Sequence, residues 1–300
     1  MKIVIAPDSF KESLTASEVC DAIETGFTTV FKEADIVKIP MADGGEGTAA
    51  ALKETQSGEW QRIIAHDPLM RPIEASYVLL PNQTAIIEMA SCAGLHLLTQ
   101  SERDPSIATT YGVGEMLLDA IDKGAKHIIL GIGGSATNDA GTGMLKALGY
   151  RFLDSQHHEL AQGGKALAAL AFIDSRAVND KIADISITVA CDVTNPLCGK
   201  LGASHVYAPQ KGATLDDIVI LDNALSHFAN IASRQNFPDN RNEAGAGAAG
   251  GLGFALMTFL SATLTGGFQL VSEFSNLKQM IQQADLVITG EGKMDFQTSI

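Results

Sequence analysis

The sequence predicts an α/β protein built around a parallel sheet, and three of its features carry that expectation. An apolar, β-rich run at 2–6 is followed by a helical segment, a second apolar run and a second helical segment. That β-α-β-α order is the signature of parallel strands with helices packed on their faces. The runs are continuously apolar, as strands covered on both faces are. Five segments also end in loops of Gly, Asp, Asn and Ser, and open parallel sheets bind ligands outside the carboxyl ends of their strands.

The elements follow in order. Residues 2–6 form a strand that stops at Pro7. Residues 13–31 form a helix, with Ala16, Val19, Ile23 and Phe27 at helical spacing. Residues 35–41 are a second strand, followed by a glycine loop and a helix at 47–55. From Trp60 the texture changes to short strands at 60–65, 74–80 and 84–89, punctuated by Pro68, Pro72 and Pro81-Asn82. A helix at 112–123, a strand at 127–132, a strand at 185–190 and an amphipathic helix at 216–234 come next. The run at 285–289 matches the opening strand in character and belongs in the same sheet, rather than beside 185–190. The expected organisation is a Rossmann-like domain of residues 1–58 and 276–300, with a second α/β domain at 59–275 inserted into it.

At 300 residues and 46% hydrophobic, the chain can bury a sizeable core, which excludes a disordered protein. The net charge of −14 repels nucleic acid and anionic membranes, and neither is an expected partner. Small anions are repelled too, so a site for them must be locally rich in N–H groups, Lys, Arg or Mg²⁺. Cys20, Cys92, Cys191 and Cys198 form no C-x-x-C pair and read as free thiols in a reducing cytoplasm. The opening MKIVIAPDSF has too short an apolar run for a signal peptide, and no run is long enough to span a membrane.

The loops are APDSFKES at 6–13, MADGGEGT at 41–48, GIGGSATNDAGTG at 131–143, CDVTNPLCG at 191–199 and TGEGKMD at 289–295. Each alone is ordinary turn chemistry; together they predict one shared cleft. The chemistry suits phosphoryl transfer. Glycines let N–H groups approach phosphate oxygens, and a following helix N-terminus adds partial positive charge. Carboxylates hold Mg²⁺ or accept a hydroxyl proton. Lys11 and Lys293 stand near such carboxylates, either to neutralise transferring charge or as surface ion pairs. A competing motif is G-x-G-x-x-A at 131–136, with Asp154 after the strand-like YRFL, a dinucleotide fingerprint on paper. GAGAAG at 245–250 fits the glycine spacing too, but a polar stretch precedes it. No Walker A, H-R-D or D-F-G motif occurs. Cys191 has no paired His in sequence, and His157-His158 reads as a solvated loop.

IAPDSFKESLTA, PMADGGEGT, EMASCAGL, GIGGSATNDAGTGM, CDVTNPLCGKLGA, the PQKGA at 209–213, GAGAAGGLG and GEGKMDFQT occur in this order and together resemble the bacterial type I glycerate kinase family. The resemblance implies D-glycerate as substrate, ATP with Mg²⁺, 2-phosphoglycerate as product, and a cleft between two α/β domains. It places Asp192, Asp43, Lys11 and Lys293 in family loops as catalytic candidates, and Asp192 and Asp43 are physically the best placed as base or metal holder, since each follows a strand and precedes a sharp turn. It implies substrate or nucleotide contacts from Asp8, Gly44, Gly45, Glu46, Ser91, Gly133, Gly134, Ser135, Asn138, Asp139, Asn195, Gly247, Gly250, Gly251, Glu291 and Asp295. The expected protein is a cytoplasmic monomer or homodimer. The alternatives are a kinase of another small hydroxy acid, an NAD(P)-dependent dehydrogenase using the 131–136 loop, and a ligand-binding regulator without turnover. The family also runs several tens of residues beyond the QTS at 297–299. A chain truly ending at Ile300 is expected to expose Leu286, Val287 and Ile288 on a sheet edge, to be inactive and to self-associate.

Overall fold

A computed structural model describes residues 1–10, 13–42, 44–45 and 47–292. Strand β1 (Lys2–Ile5) is followed by helix α1 (Ala16–Val30), strand β2 (Asp35–Lys38) and helix α2 (Thr48–Gln56). Helix α1 begins at Ala16, the first of its spaced apolar residues, three residues after the expected start at 13. The Thr15 side chain accepts from Glu18 N, and the Glu18 carboxylate accepts from Thr15 N, a capping box that sets the start. Strand β2 is cut short of the expected 35–41 because Pro40 has no N–H to donate. Ile39 and Met41 still donate to Ile5 and Pro7 at 2.8 and 2.9 Å, carrying the ladder past the proline.

Strands β3 (Glu59–His66), β4 (Pro72–Leu79) and β5 (Thr84–Glu88) form the expected meander. Then come helices α3 (Ala90–Ala93) and α4 (Tyr111–Asp122), strand β6 (His127–Gly131), helix α5 (Thr142–Ala147), and strands β7 (Arg151–Leu153), β8 (Phe172–Asp174) and β9 (Ser186–Ala190). Helices α6 (Ala203–Tyr207), α7 (Leu215–Arg234) and α8 (Ala248–Leu260) lead to strand β10 (Thr263–Thr265). Helices α9 (Gly267–Phe274) and α10 (Leu277–Gln282) precede strand β11 (Leu286–Ile288).

The strands make a parallel sheet β11-β1-β2, a six-stranded sheet β10-β9-β6-β5-β4-β3 and an antiparallel pair β7-β8. In the large sheet β10, β9, β6 and β5 are parallel, and the β4-β3 hairpin completes it antiparallel. Strand β11 pairs with β1, Ile3 opposite Leu286, and not with β9, whose neighbours are β6 and β10. Among the described residues β11 is an edge, with Leu286 and Val287 exposed.

Period-2 geometry distributes the core. Ile3 and Ile5 pack with Cys20 toward α1. Val4, on the opposite face, joins Ile39, Met41, Leu52, Leu270 and Val271 in a cluster that also takes Ile86 and Ile129 of the large sheet. Helices α2 and α9 therefore contribute to one apolar layer shared by the two sheets. Ile87, Ile128, Leu130, Ile187 and Val189 face the other way, into the main core with Val113, Met144, Phe228 and Phe254. No helix among the described residues is long and apolar enough to cross a membrane.

Candidate active site

The four parallel strands of the large sheet end in one register row. Glu88 lies opposite Gly131, Gly131 opposite Ala190, and Ala190 opposite Thr265. The chain that follows each strand thus emerges at one place. The loop after β2 crosses this row. A Cβ on Gly44 would fall 2.5 Å from Ala190 Cβ and 3.0 Å from Gly267 Cα. A Cβ on Gly131 would fall 2.6 Å from Gly44 O, and one on Gly133 3.1 Å from Gly45 Cα. Only glycines let the two loops approach so closely, and Gly44 also sits at φ +85°, where an L side chain is strained.

Charge is organised around that contact. Asp192 is exposed just past β9, and its Oδ1 accepts the N–H of Gly267 at 2.9 Å, at the start of α9. Glu88, half-buried at the end of β5, accepts the N–H of Ala49 at 2.8 Å through Oε1. Both carboxylates therefore sit at helix N-termini, each accepting a first-turn N–H. Beyond β6, Gly133 and Gly134 are exposed, and the N–H groups of Gly133, Gly134 and Ser135 have no protein acceptor among the described residues. Three adjacent N–H groups without an acceptor are donors of the kind that anion-binding nests supply.

The predicted residues divide into groups. Gly44, Gly45, Gly133, Gly134 and Asp192 meet at the row, with Ser91 in α3 directly after β5. Asp8 and Glu291 stand together at the carboxyl end of the small sheet, where Asp8 N donates to Gly290 O at 2.8 Å. Met41 is bonded to Pro7 at the small sheet, and Gly44 lies on Ala190 at the row. Lys11, Asp43, Glu46, Lys293 and Asp295 lie outside the described residues.

Other expected contact residues are held in place by internal bonds or close packing, most of them buried. Asp139 is fully buried and accepts from Thr110 N, Thr110 Oγ1, Gly141 N and Gly143 N at 2.9–3.1 Å. Burial holds its carboxyl above the ordinary value, although the four donors oppose that shift. The structure makes it the clamp of the turn into α5. Asn138 is also buried, its amide donating to Ser204 Oγ at 3.0 Å. Asn195 is held by Leu201 O and by the Tyr207 hydroxyl. Gly247, Gly250 and Gly251 are buried close-packing positions. A Cβ on Gly247 would meet Pro196 O at 2.2 Å, one on Gly250 Thr137 O at 2.0 Å, and one on Gly251 Ala140 Cα at 2.9 Å.

Ser135 is 8% exposed and bonded from behind by Lys211, which is 1% exposed. The sequence reading named neither Glu88 nor Lys211 as a site residue, though both fall inside quoted motifs. Glu88 ends the apolar run TAIIE, and a carboxylate at a strand end was the available signal. Lys211 carried none, since a lone Lys after Pro-Gln reads as surface.

The dinucleotide fingerprint at 131–136 lacks its fold context. In a nucleotide-binding βαβ unit the next strand lies parallel in the same sheet. Here β7 pairs antiparallel with β8 in a separate sheet, and the Asp154 carboxylate closes its own turn on Gln156 N and His158 N. Cys191 and Cys198 are in no disulfide, and burial raises Cys191 and pushes Cys198 up to about 12, which suits neither to nucleophilic work.

Known proteins match this chain along its length. The family model for the glycerate kinase family matches residues 3–300. A glycerate kinase of Bacillus subtilis (strain 168) is 49% identical over 299 residues, 99% of this chain and 78% of the relative. A glycerate 2-kinase of Escherichia coli (strain K12) is 48% identical over 299 residues, again 99% of this chain and 78% of the relative. The crystal structure of a candidate glycerate kinase 2 from Salmonella typhimurium LT2 superposes with a TM-score of 0.94 at 48% identity, covering 99% of this chain and 80% of that one. A parallel α/β fold, strand ends gathered under a glycine loop, and this similarity agree: the chain belongs to the glycerate kinase family and is a kinase acting on glycerate.

Proposed function

We propose that the enzyme transfers the terminal phosphoryl group of ATP to the 2-hydroxyl of D-glycerate, giving 2-phosphoglycerate and ADP. The observation that carries this reading is the common row of strand ends, Glu88, Gly131, Ala190 and Thr265, lying under the 44–45 loop with Asp192 and three free N–H groups beside it. The N–H groups of Gly133, Gly134 and Ser135 would receive anionic oxygens. Asp192 would take the hydroxyl proton as the new O–P bond forms and the bond to the ADP oxygen breaks.

Mg²⁺ carried in on a nucleotide asks for only one or two protein carboxylates beside phosphate oxygens and water. No cluster of three or more His, Cys, Asp or Glu side chains able to cage a metal occurs among the described residues, and the exposed Asp192 carboxylate fits the lesser requirement. Asp192, with Asp43 as its expected companion, would hold the ion, which when bound would neutralise charge on the transferred group. The working cleft in this reading lies between a domain of residues 1–58 with 276–300 and one of 59–275, in a cytoplasmic enzyme.

The test is ADP release with D-glycerate in a coupled assay, with the product identified by phosphorus NMR. ADP and 2-phosphoglycerate are expected. Release with another hydroxy acid and not with glycerate would move the substrate; 3-phosphoglycerate would move the site of attack on glycerate.

A further inference from the structure

Lys211 ends the short turn Pro209–Lys211 and is 1% exposed. Its Nζ donates to Ser135 Oγ at 2.6 Å and to Thr137 O at 2.7 Å. Neither acceptor carries charge, and no carboxylate lies within ion-pair distance of this amine among the described residues. Asp139, which acts on it from a distance, already has four donors of its own. A buried amine held only by neutral groups is costly to fold around. The surroundings add to that cost, because Thr137 Oγ1 and Asn138 Oδ1 are buried without a hydrogen-bond partner. These polar atoms adjoin the loop in which Gly133 and Gly134 are exposed and the N–H groups of Gly133, Gly134 and Ser135 have no acceptor among the described residues.

The Lys211 Nζ donates to both of these acceptors, so the Ser135 hydroxyl accepts from it and must send its own hydrogen elsewhere. We propose that Lys211 is a positioning residue for phosphoryl transfer: by holding Ser135 Oγ and Thr137 O from behind, it turns the Ser135 hydroxyl hydrogen and the 133–135 N–H groups toward an anionic oxygen of the bound substrate. This rests on the kinase reading above. The anionic oxygen belongs either to the nucleotide phosphates or to the glycerate carboxylate, and the experiment separates the two.

Steady-state kinetics of wild type, Lys211→Met, Ser135→Ala and the double variant, varying Mg-ATP and D-glycerate in turn, provide the test. Lys211→Met is expected to raise the KM for one of the two anions at least fivefold, with a smaller change in kcat, and Ser135→Ala to raise the same KM. The double variant is expected to lie within twofold of Lys211→Met, since the lysine acts through the serine. A raised Mg-ATP KM assigns a phosphate oxygen, and a raised glycerate KM the carboxylate. Both KM values within twofold of wild type, or single effects that multiply in the double variant, would overturn the proposal. If Lys211→Met does not fold, Ser135→Ala decides alone, and unchanged KM values overturn it. A wild type that releases no ADP with glycerate counts against the kinase reading instead. Binding of pyrophosphate and of D-glycerate by calorimetry to wild type, Lys211→Met and Ser135→Ala then decides for Lys211. Weaker binding of the same anion by both variants supports it; equal affinities for both anions, or no binding of either to wild type, overturn it.

Discussion

Oε1 of Glu88 accepts the backbone N–H of Ala49 at 2.8 Å, so the last residue of β5 satisfies the first turn of α2 from 39 positions away. Helix α2 needs that outside acceptor, because its N-cap is Gly47, which offers no side chain. The bond also ties the start of α2, and the 44–45 loop before it, to the row of strand ends. Glu88→Ala is expected to cost about 1–2 kcal/mol, as for a lost cap, and to lower kcat/KM about tenfold. Glu88→Gln keeps an acceptor and should lose less on both counts. Urea denaturation with parallel kinetics checks it, and equal effects of the two variants would contradict the capping role.

Asp192→Asn is expected to lower kcat by about 10²–10⁴-fold, the usual contribution of a general base. The amide oxygen can still accept from Gly267, so the melting temperature should stay within a few degrees of wild type. A rate loss under about tenfold would remove Asp192 from both the base and the metal-holding role. A large fall in melting temperature with the rate kept would make it structural.

Two glycine substitutions should have opposite signs. Gly250→Ala places a Cβ 2.0 Å from Thr137 O and 2.5 Å from Asn138 Cα, backbone atoms that cannot swing aside, at φ +67°. A loss of more than about 2 kcal/mol is expected from overpacking and left-handed strain together. Gly26→Ala lies in exposed helix α1 with nothing within 4 Å, and should gain about 0.5–1 kcal/mol. Denaturation midpoints of the two variants read the difference directly.

Burial lowers the Lys211 amine from 10.5 to about 7, with Asp139 pulling weakly the other way. Between those values the unfolded chain holds a proton that the folded chain does not, so this group's contribution to stability rises with pH across the window. It is fully present above 10.5 and is lost as pH falls toward 7. The urea stability of wild type minus that of Lys211→Met, measured from about pH 6.5 to 9.5, should therefore grow in favour of wild type as pH rises. A flat difference would show the amine to be charged throughout.

What the sequence by itself determined is what is local or carried by motifs. Continuous apolar runs placed the strands at 2–6, 127–132 and 185–190, since a run that would be insoluble on a surface must be covered on both faces. The ordered motifs from IAPDSFKESLTA to GEGKMDFQT carried the family. Tertiary structure alone decided what meets what. Strand β10 is three residues, too short for any period to register, and exists only because β9 offers it a parallel edge. The alignment of Glu88, Gly131, Ala190 and Thr265 is a matter of register between strands far apart in sequence. Asp139 looked like a site carboxylate, and folding turned it inward onto four donors. Lys211 carried no site signal of its own, and folding buried it behind Ser135. Burial and pairing of a polar group depend on partners that sequence spacing does not reveal, and so the chain showed which chemistry it carries while the fold decided where each group acts.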